Sequence, residues 1–94
     1  MTTSPRTVHM LKHAGEAIVR NRTIKIIGDQ TPFVVSVTDR DYEDDPTGQS
    51  QTIVSRESYD SIDDAEREKE RQVELASGEG FVLNPYAHGG LPPY

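Results

Sequence analysis

The sequence predicts an α+β fold: an N-terminal helix, a three-stranded antiparallel meander, a charged C-terminal helix and an extended tail rich in Pro and Gly. Three observations support this prediction. Apolar residues recur every three to four positions near the start of the chain, β-branched residues form two dense runs around a turn, and a helix-start signal precedes a charged stretch. We assign residues 1–79 to one small domain and residues 80–94 to a partly ordered tail.

The first predicted element is a helix over residues 5–20. Its apolar positions within Val8–Ile18 repeat at helical spacing, and charged residues stand between them. Ser4 is suited to cap this helix, and Pro5 suits its first position, where a missing N–H leaves no hydrogen bond unmade. Asn21 is placed to end it.

The middle of the chain predicts three strands in sequence order. Residues 23–27 and 33–38 are dense in β-branched side chains, and the turn-like residues 28–32 stand between them. A second turn over residues 44–50 precedes a short third strand over residues 51–56. Consecutive strands usually pair with each other, so an antiparallel meander is the simplest assembly.

A second helix is predicted over residues 62–76. Ser61 stands three residues before Asp64, which resembles a capping box, and Gly78 is placed to end the helix. Its apolar stripe is interrupted, because residues 66–71 are all charged. We therefore expect this helix to be at most half docked.

Composition limits the size of the core and the chemistry available. Only 33% of the 94 residues are apolar, and the chain has no Trp and no Cys. Without cysteine there is no disulfide, thiolate nucleophile or thiolate metal site. No apolar run has the length of a signal peptide or of a membrane span, so we expect a cytoplasmic protein without a membrane partner.

Charge is distributed unevenly along the chain, whose net charge is −6. Five basic residues face two acidic ones up to Thr38, whereas five basic residues face fourteen acidic ones from Asp39 onward. Such an uneven distribution of charge is informative about the kind of partner that the protein binds. The cations Arg20, Arg22 and Lys25 are too few to bind nucleic acid against this charge. We expect them to pair with the acidic half, either within one chain or across a dimer.

The first predicted helix carries a candidate metal site. His9, His13 and Glu16 stand at positions i, i+4 and i+7, so two imidazoles and a carboxylate could share one face of that helix. Met10 occupies the position where a zinc-protease motif has its glutamate. The alternatives are surface histidines without a ligand and a metal or proton-sensing role.

An acidic run covers Asp39–Asp45. Carboxylates stand at its first, third and fifth positions, as in a calcium loop, but Asp44 and Ser50 occupy the sixth and twelfth positions, where an EF-hand needs Gly and Glu. As the end of a strand, Asp39, Asp41 and Glu43 would project to one face as a negative ladder. The interpretations are a solvated hairpin end, an acidic binding surface or a calcium site.

We expect a non-enzymatic binding protein, because no triad, phosphate-binding loop or carboxylate pair in a cleft is indicated. The sharper hypothesis is an acidic inhibitor that imitates nucleic acid and occupies the basic surface of a nuclease or another nucleic-acid-binding complex, without binding nucleic acid itself. Anti-restriction and anti-CRISPR proteins of phages and mobile elements are similar to this chain in size and charge. The predicted partner-binding residues are Asp39, Asp41, Glu43, Asp44, Asp45, Asp60, Asp63, Asp64, Glu66, Glu68 and Glu70.

The alternative hypothesis is a small assembly or adaptor subunit. It would dock through its sheet edge and through the apolar residues 81–83 with the Pro-rich end, onto a partner or onto a second copy as a homodimer. Neither hypothesis requires a cofactor.

Overall fold

A computed structural model describes residues 6–47 and 49–83. They form one antiparallel five-stranded sheet, in the spatial order β4-β3-β2-β1-β5, and one helix that covers one of its faces. The elements in chain order are β1 (Thr7–Ala14), β2 (Ala17–Ile27), β3 (Phe33–Asp41), β4 (Thr52–Tyr59), α1 (Ile62–Gly78) and β5 (Val82–Leu83).

The predicted N-terminal helix over residues 5–20 is wrong. These positions form most of the β1–β2 hairpin, in which Val8 pairs with Ile24 and Met10 pairs with Arg22. Val8 and Met10 are buried two residues apart, which is the period of a strand, and the helical spacing of the apolar residues is a coincidence of sequence. The residues predicted to start the helix, Ser4 and Pro5, lie outside the described residues.

The turn between β1 and β2 explains why this segment folds back on itself. Ala14 pairs with Ala17, so the loop consists of Gly15 and Glu16 alone. Gly15 has a φ of 65°, whereas none of the described residues other than glycine has a positive φ. A positive φ at the first central position only is the signature of a type II′ turn, whose twist matches that of paired strands.

The predicted three-stranded meander is also wrong, because the sheet has five strands. β1 extends it beyond β2, and the chain returns after α1 to add β5 outside β1. The pairing of β5 joins Val82 and Leu83 to the middle of β1, a contact between distant parts of the sequence. Local patterns in the sequence carry no signal for such a pairing.

The core lies between the sheet and α1. Alternate residues of the three central strands point toward the helix, which approaches closely through two buried alanines, Ala65 and Ala76. The charged interruption of the helix stripe is filled by Lys69, which is 1% exposed and whose ammonium lies 2.9 Å from a Glu66 oxygen. The aliphatic stem of a lysine packs like an apolar side chain. The core cluster comprises Val8, Met10, Ile24, Ile26, Val35, Val37, Ala65, Ala76 and Phe81.

One residue of the segment that follows α1 belongs to the core. Phe81 is 2% exposed and packs in the core cluster, although the adaptor hypothesis expected it to dock onto a partner. Val82 and Leu83 are exposed in β5. The Pro-rich end, residues 84–94, lies outside the described residues. In the described part of the chain, no helix combines the length and the apolar character that crossing a membrane requires.

Candidate binding surfaces

The predicted acidic ladder at the end of β3 is largely neutralised. Arg22 lies opposite Asp39 in the β2–β3 pairing, and Arg20 lies opposite Asp41. Arg22 donates two hydrogen bonds to the Asp39 carboxylate, at 2.8 and 3.0 Å, and Arg20 donates one to Asp41 at 3.1 Å. The expectation of pairing with the acidic half within one chain is thus confirmed for Arg20 and Arg22 and is wrong for Lys25, which forms no ion pair within the described residues. Glu43 lies beyond the end of β3 and is not part of the ladder.

The ion pair of Arg22 and Asp39 also holds the chain that follows α1. Arg22 is 5% exposed, donates a further hydrogen bond to Glu79 at 3.0 Å and lies over the ring of Phe81, 4.5 Å from its centroid. Hydrogen bonds from Arg22 to Asp39 raise the pKa of the guanidinium, and the bond to Glu79 adds to this against the effect of burial. This cluster has a structural role, because the carboxylates of Asp39 and Glu79 are both hydrogen-bonded to the guanidinium of Arg22.

Asp41 organises the start of the loop after β3. Besides the bond from Arg20, its carboxylate accepts hydrogen bonds from the backbone N–H groups of Glu43 at 3.0 Å and Asp44 at 3.3 Å. These bonds, with that from Arg20 the strongest, lower the pKa of Asp41. The side chains of Glu43 and Asp44 are exposed.

Asp45 organises the rest of this loop. Its carboxylate accepts hydrogen bonds from the backbone N–H groups of Thr47 at 3.1 Å and Ser50 at 2.8 Å, and from the Thr47 hydroxyl. Hydrogen bonding from Thr47 and then from Ser50 lowers the pKa of Asp45 to about 2. The carboxylate oxygens that a calcium ion would need therefore bind the loop itself. No group of three or more His, Asp or Glu side chains among the described residues could hold a metal ion.

The carboxylates of α1 are mostly paired as well. Glu68 accepts hydrogen bonds from Arg71 and from Gln72, and the bond from Arg71 is the main cause of its lowered pKa. Asp60 and Asp63 are exposed and form no ion pair with any described residue. The ion pairs along the helix are Asp64–Arg67 at 3.5 Å, Glu66–Lys69 at 2.9 Å, Glu70–Lys69 at 3.9 Å and Glu68–Arg71 at 2.6 Å.

The eleven predicted partner-binding carboxylates lie partly at the end of β3 with the loop after it, and partly at the start and along the first half of α1. Phe33 at the start of β3 pairs with Tyr59, beside the acidic start of α1, whereas Asp41 ends the strand at the acidic loop. Eight residues of strand span about 27 Å. Asp60 therefore lies about this far from Asp41, but α1 runs back along the sheet, because Glu79 after its end is hydrogen-bonded to Arg22, which lies opposite Asp39.

A surface that the sequence reasoning missed lies on the face of the sheet that α1 leaves uncovered. Four basic or imidazole side chains converge there over a shallow cavity of about 400 Å³. We call this surface the cationic face. None of the described residues that line it is acidic. The lining residues are His9, Thr23, Lys25, Ile27, Ser36, Thr38, Arg40, Gln51, Ile53 and Arg56.

Strand register sets the layout of the cationic face. Lys25 pairs with Ser36, and Ser36 pairs with Arg56, so one row across three strands carries a cation at each end. Neighbouring strands lie about 4.8 Å apart, which puts the Cα atoms of Lys25 and Arg56 about 10 Å from each other. The next row contains His9, whose Nδ1 lies 3.2 Å from the hydroxyl oxygen of Thr23.

The cations of this face are not neutralised by the acidic half of the chain. Lys25, Arg40 and Arg56 form no ion pair within 4 Å in residues 6–47 and 49–83. Arg40 lies against the uncharged amide of Gln51, which fits with its oxygen 3.0 Å from Nε and 2.6 Å from Nη2. The charges of these side chains thus remain available to an anionic partner.

The predicted grouping of His9, His13 and Glu16 depended on a helix that does not form. The two histidines lie on β1, and Glu16 lies in the turn after it. Four residues of strand separate side chains by about 13 Å, which is too far for two imidazoles to share one metal ion.

β4 forms a long exposed edge of the sheet. It pairs with β3 along one side only, and six of its eight residues are exposed, among them Ile53 at 60% and Val54 at 48%. The register shifts between Val37 and Thr38 leave Val54 as the extra residue of a bulge. At the opposite edge of the sheet, β5 covers the middle of β1.

Comparison with protein-family models, with curated proteins and with solved structures gave no match, so the residues of this chain alone bear on its function.

Proposed function

We propose that this protein is a non-enzymatic adaptor that holds an acidic segment of a partner protein on its cationic face. The observation that carries the proposal is the contrast between the two sides of the molecule. Lys25, Arg40 and Arg56 lie together on the uncovered face, where none of the described lining residues is acidic, although the chain as a whole has a net charge of −6. Charge complementarity of this kind selects the partner and increases the rate of association.

The chemistry of the cationic face favours a protein segment over nucleic acid. Proteins that bind single strands stack the bases on aromatic side chains, and none of the described residues that line this face is Phe, Tyr or Trp. Ile27 and Ile53 are exposed beside the cations, so apolar side chains of a peptide have a place to pack.

The acidic inhibitor remains the second candidate. It is favoured by four of the predicted partner-binding carboxylates that are exposed and form no ion pair with any described residue: Asp60 and Asp63 at the start of α1, and Glu43 and Asp44 in the loop after β3. Its partner would be a basic protein such as a nuclease or another nucleic-acid-binding complex. It is weaker than the first proposal because Asp39 and Asp41 are occupied by arginines.

Affinity capture from a nuclease-treated lysate tests both proposals with matched variants. The double variant Lys25→Gln with Arg56→Gln removes two cations from the cationic face. Arg67→Gln with Arg71→Gln removes two from the exposed surface of α1, so the net charge is the same. The adaptor proposal expects the partner to be lost with the first variant and kept with the second.

The inhibitor proposal expects a different result from the same capture. Partner binding would survive both variants and would be lost when Asp60 and Asp63 are changed to Asn. A partner that remains bound after changes on the sheet face but not after changes on the helix contradicts the adaptor proposal.

A further inference from the structure

The free edge of the sheet lies beside the cationic face. β4 has no neighbour on its outer side among the described strands, so its outward N–H and C=O groups are open to a further strand. The strand contains no Pro and no Lys, which are common means of blocking an edge. Ser55–Tyr59 pairs regularly with β3 beyond the bulge, which leaves a straight segment of five residues.

The two faces of this edge differ in charge. Arg56 pairs with Ser36 and lies on the cationic face, whereas Glu57 pairs with Val35, whose side chain points toward α1. A strand added along β4 would place alternate side chains on these two faces. Side chains directly opposite each other on neighbouring strands come within about 5 Å, so a carboxylate across from Arg56 would form a cross-strand ion pair.

We propose that the partner segment binds as an extended strand along β4, with acidic side chains on the side of Arg56. This inference rests on the proposed function and adds the geometry and the sequence pattern of the ligand: Asp or Glu at alternate positions, with small or apolar residues between them. Hydrogen bonds between main chains supply affinity that does not depend on sequence, and the cations select the acidic pattern.

A second copy of this chain fits the edge less well. Two copies related by a twofold axis perpendicular to the sheet would pair their β4 strands in antiparallel fashion, and each residue would stay on its own face. Glu57 of the second copy could then not lie across from Arg56, because the two residues occupy opposite faces. Self-pairing would leave Arg56 without a carboxylate, whereas an acidic segment provides one.

The probe for this proposal is a ten-residue peptide of alternating Glu and Thr with blocked ends. The control peptide has the same composition with the five Glu first and the five Thr after them. Binding to the full chain is followed at low salt by the amide chemical shifts and the hydrogen exchange of the labelled protein. We expect slower exchange of β4 amides with the alternating peptide, and weaker binding of the control peptide.

Two neighbouring substitutions test the assignment of faces. Arg56→Gln should weaken binding of the alternating peptide about two- to fivefold, the range of one exposed cross-strand charge pair. Glu57→Gln changes the next residue on the opposite face, and binding should be unchanged or slightly tighter. Equal effects of the two substitutions would contradict the proposed orientation.

The remaining outcomes separate this inference from the proposed function. If Lys25→Gln and Arg56→Gln weaken binding but the β4 amides exchange as before, the adaptor proposal stands and strand addition is overturned. Both are overturned if the alternating peptide does not bind at about 1 mM, or if a ten-residue oligothymidine binds more tightly. Slow exchange of β4 amides in a dimer without peptide overturns strand addition, because a second copy then covers the edge.

Discussion

Arg22 and Asp39 face each other across β2 and β3 and are joined by two hydrogen bonds, at 2.8 and 3.0 Å. Both side chains are largely buried, with 6% and 12% of their surface exposed. This pair shows that the acidic run in the sequence is in part a structural element of the fold. Asp39 compensates a buried cation within the chain, so its charge is not offered to a partner.

Asp39→Asn should therefore destabilise the fold. Removing one partner of a buried ion pair costs about 3–5 kcal/mol, and we expect about 3 kcal/mol here because Glu79 still accepts one bond from Arg22. Urea unfolding followed by circular dichroism measures this difference. Asp44→Asn, an exposed change with the same loss of charge, should stay within about 0.5 kcal/mol. Equal stabilities of the two variants would show that the pair of Arg22 and Asp39 contributes nothing.

Stability should fall in acid. The pKa values of Asp41, Asp45 and Glu68 are lowered in the folded state by hydrogen bonds to their charged forms, chiefly from Arg20, Thr47 and Arg71. In the unfolded chain these groups titrate near 3.8 for Asp and 4.5 for Glu. Their contribution is complete above these values and is lost as the pH falls toward the folded pKa, which for Asp45 is about 2.

Thermal unfolding between pH 7 and pH 2 measures this effect. The melting temperature should change little down to about pH 5 and should then decrease as the unfolded chain takes up protons. Asp45→Asn should make the decrease shallower, since one of the three groups no longer titrates. A melting temperature that rises between pH 4.5 and pH 2 would exclude this account.

Local signals in the sequence were sufficient for the hairpin around residues 28–32 and for the helix that begins after Ser61. The β-branched runs and the Ser61 cap act within a few residues, and Ser61 does accept a hydrogen bond from the Asp64 N–H. The helix prediction over residues 5–20 is wrong because the apolar residues of this segment fit the helical period as well as the period of two, and their burial depends on the pairing of β1 with β2. The cationic face could not be predicted, because Lys25 and Arg56 meet through the register of three strands.

The substitution Gly15→Ala tests the fold of this segment, because the predicted helix and the observed hairpin imply changes in stability of opposite sign. In a helix, Gly15→Ala would stabilise the fold, since Ala is the better helix former. In the observed turn φ is 65°, which an Ala side chain adopts at a cost of about 1 kcal/mol or more, although no atom lies within 4 Å of the added Cβ. We therefore expect a lower stability in urea unfolding.

Gly78→Ala is the matched control for this substitution. Gly78 lies in the last turn of α1, also with nothing within 4 Å of an added Cβ and without a positive φ. Its replacement should be neutral or stabilising by up to about 1 kcal/mol. If Gly15→Ala were as favourable as Gly78→Ala, the turn between β1 and β2 would be refuted.

Phe81 should matter for folding even though it follows the last helix. Phe81→Ala removes a ring that is 2% exposed, and such changes cost about 3–5 kcal/mol. Leu83→Ala, at a residue that is 60% exposed, should change the stability by less than about 0.5 kcal/mol. Similar unfolding midpoints for the two variants would show that the core ends before Phe81.

The acidic start of α1 distinguishes the two proposed functions by the direction of an effect. Asp60→Asn with Asp63→Asn removes two exposed negative charges that do not line the cationic face. If an acidic segment binds the cationic face, this variant repels it less, and association with the alternating Glu and Thr peptide should become up to about twofold faster at low salt. The gain should vanish near 1 M salt, where the Debye length is about 3 Å. If those carboxylates instead bind a basic partner, the same variant should lose that partner. Stopped-flow association rates and lysate capture with this one double variant therefore distinguish the two proposals.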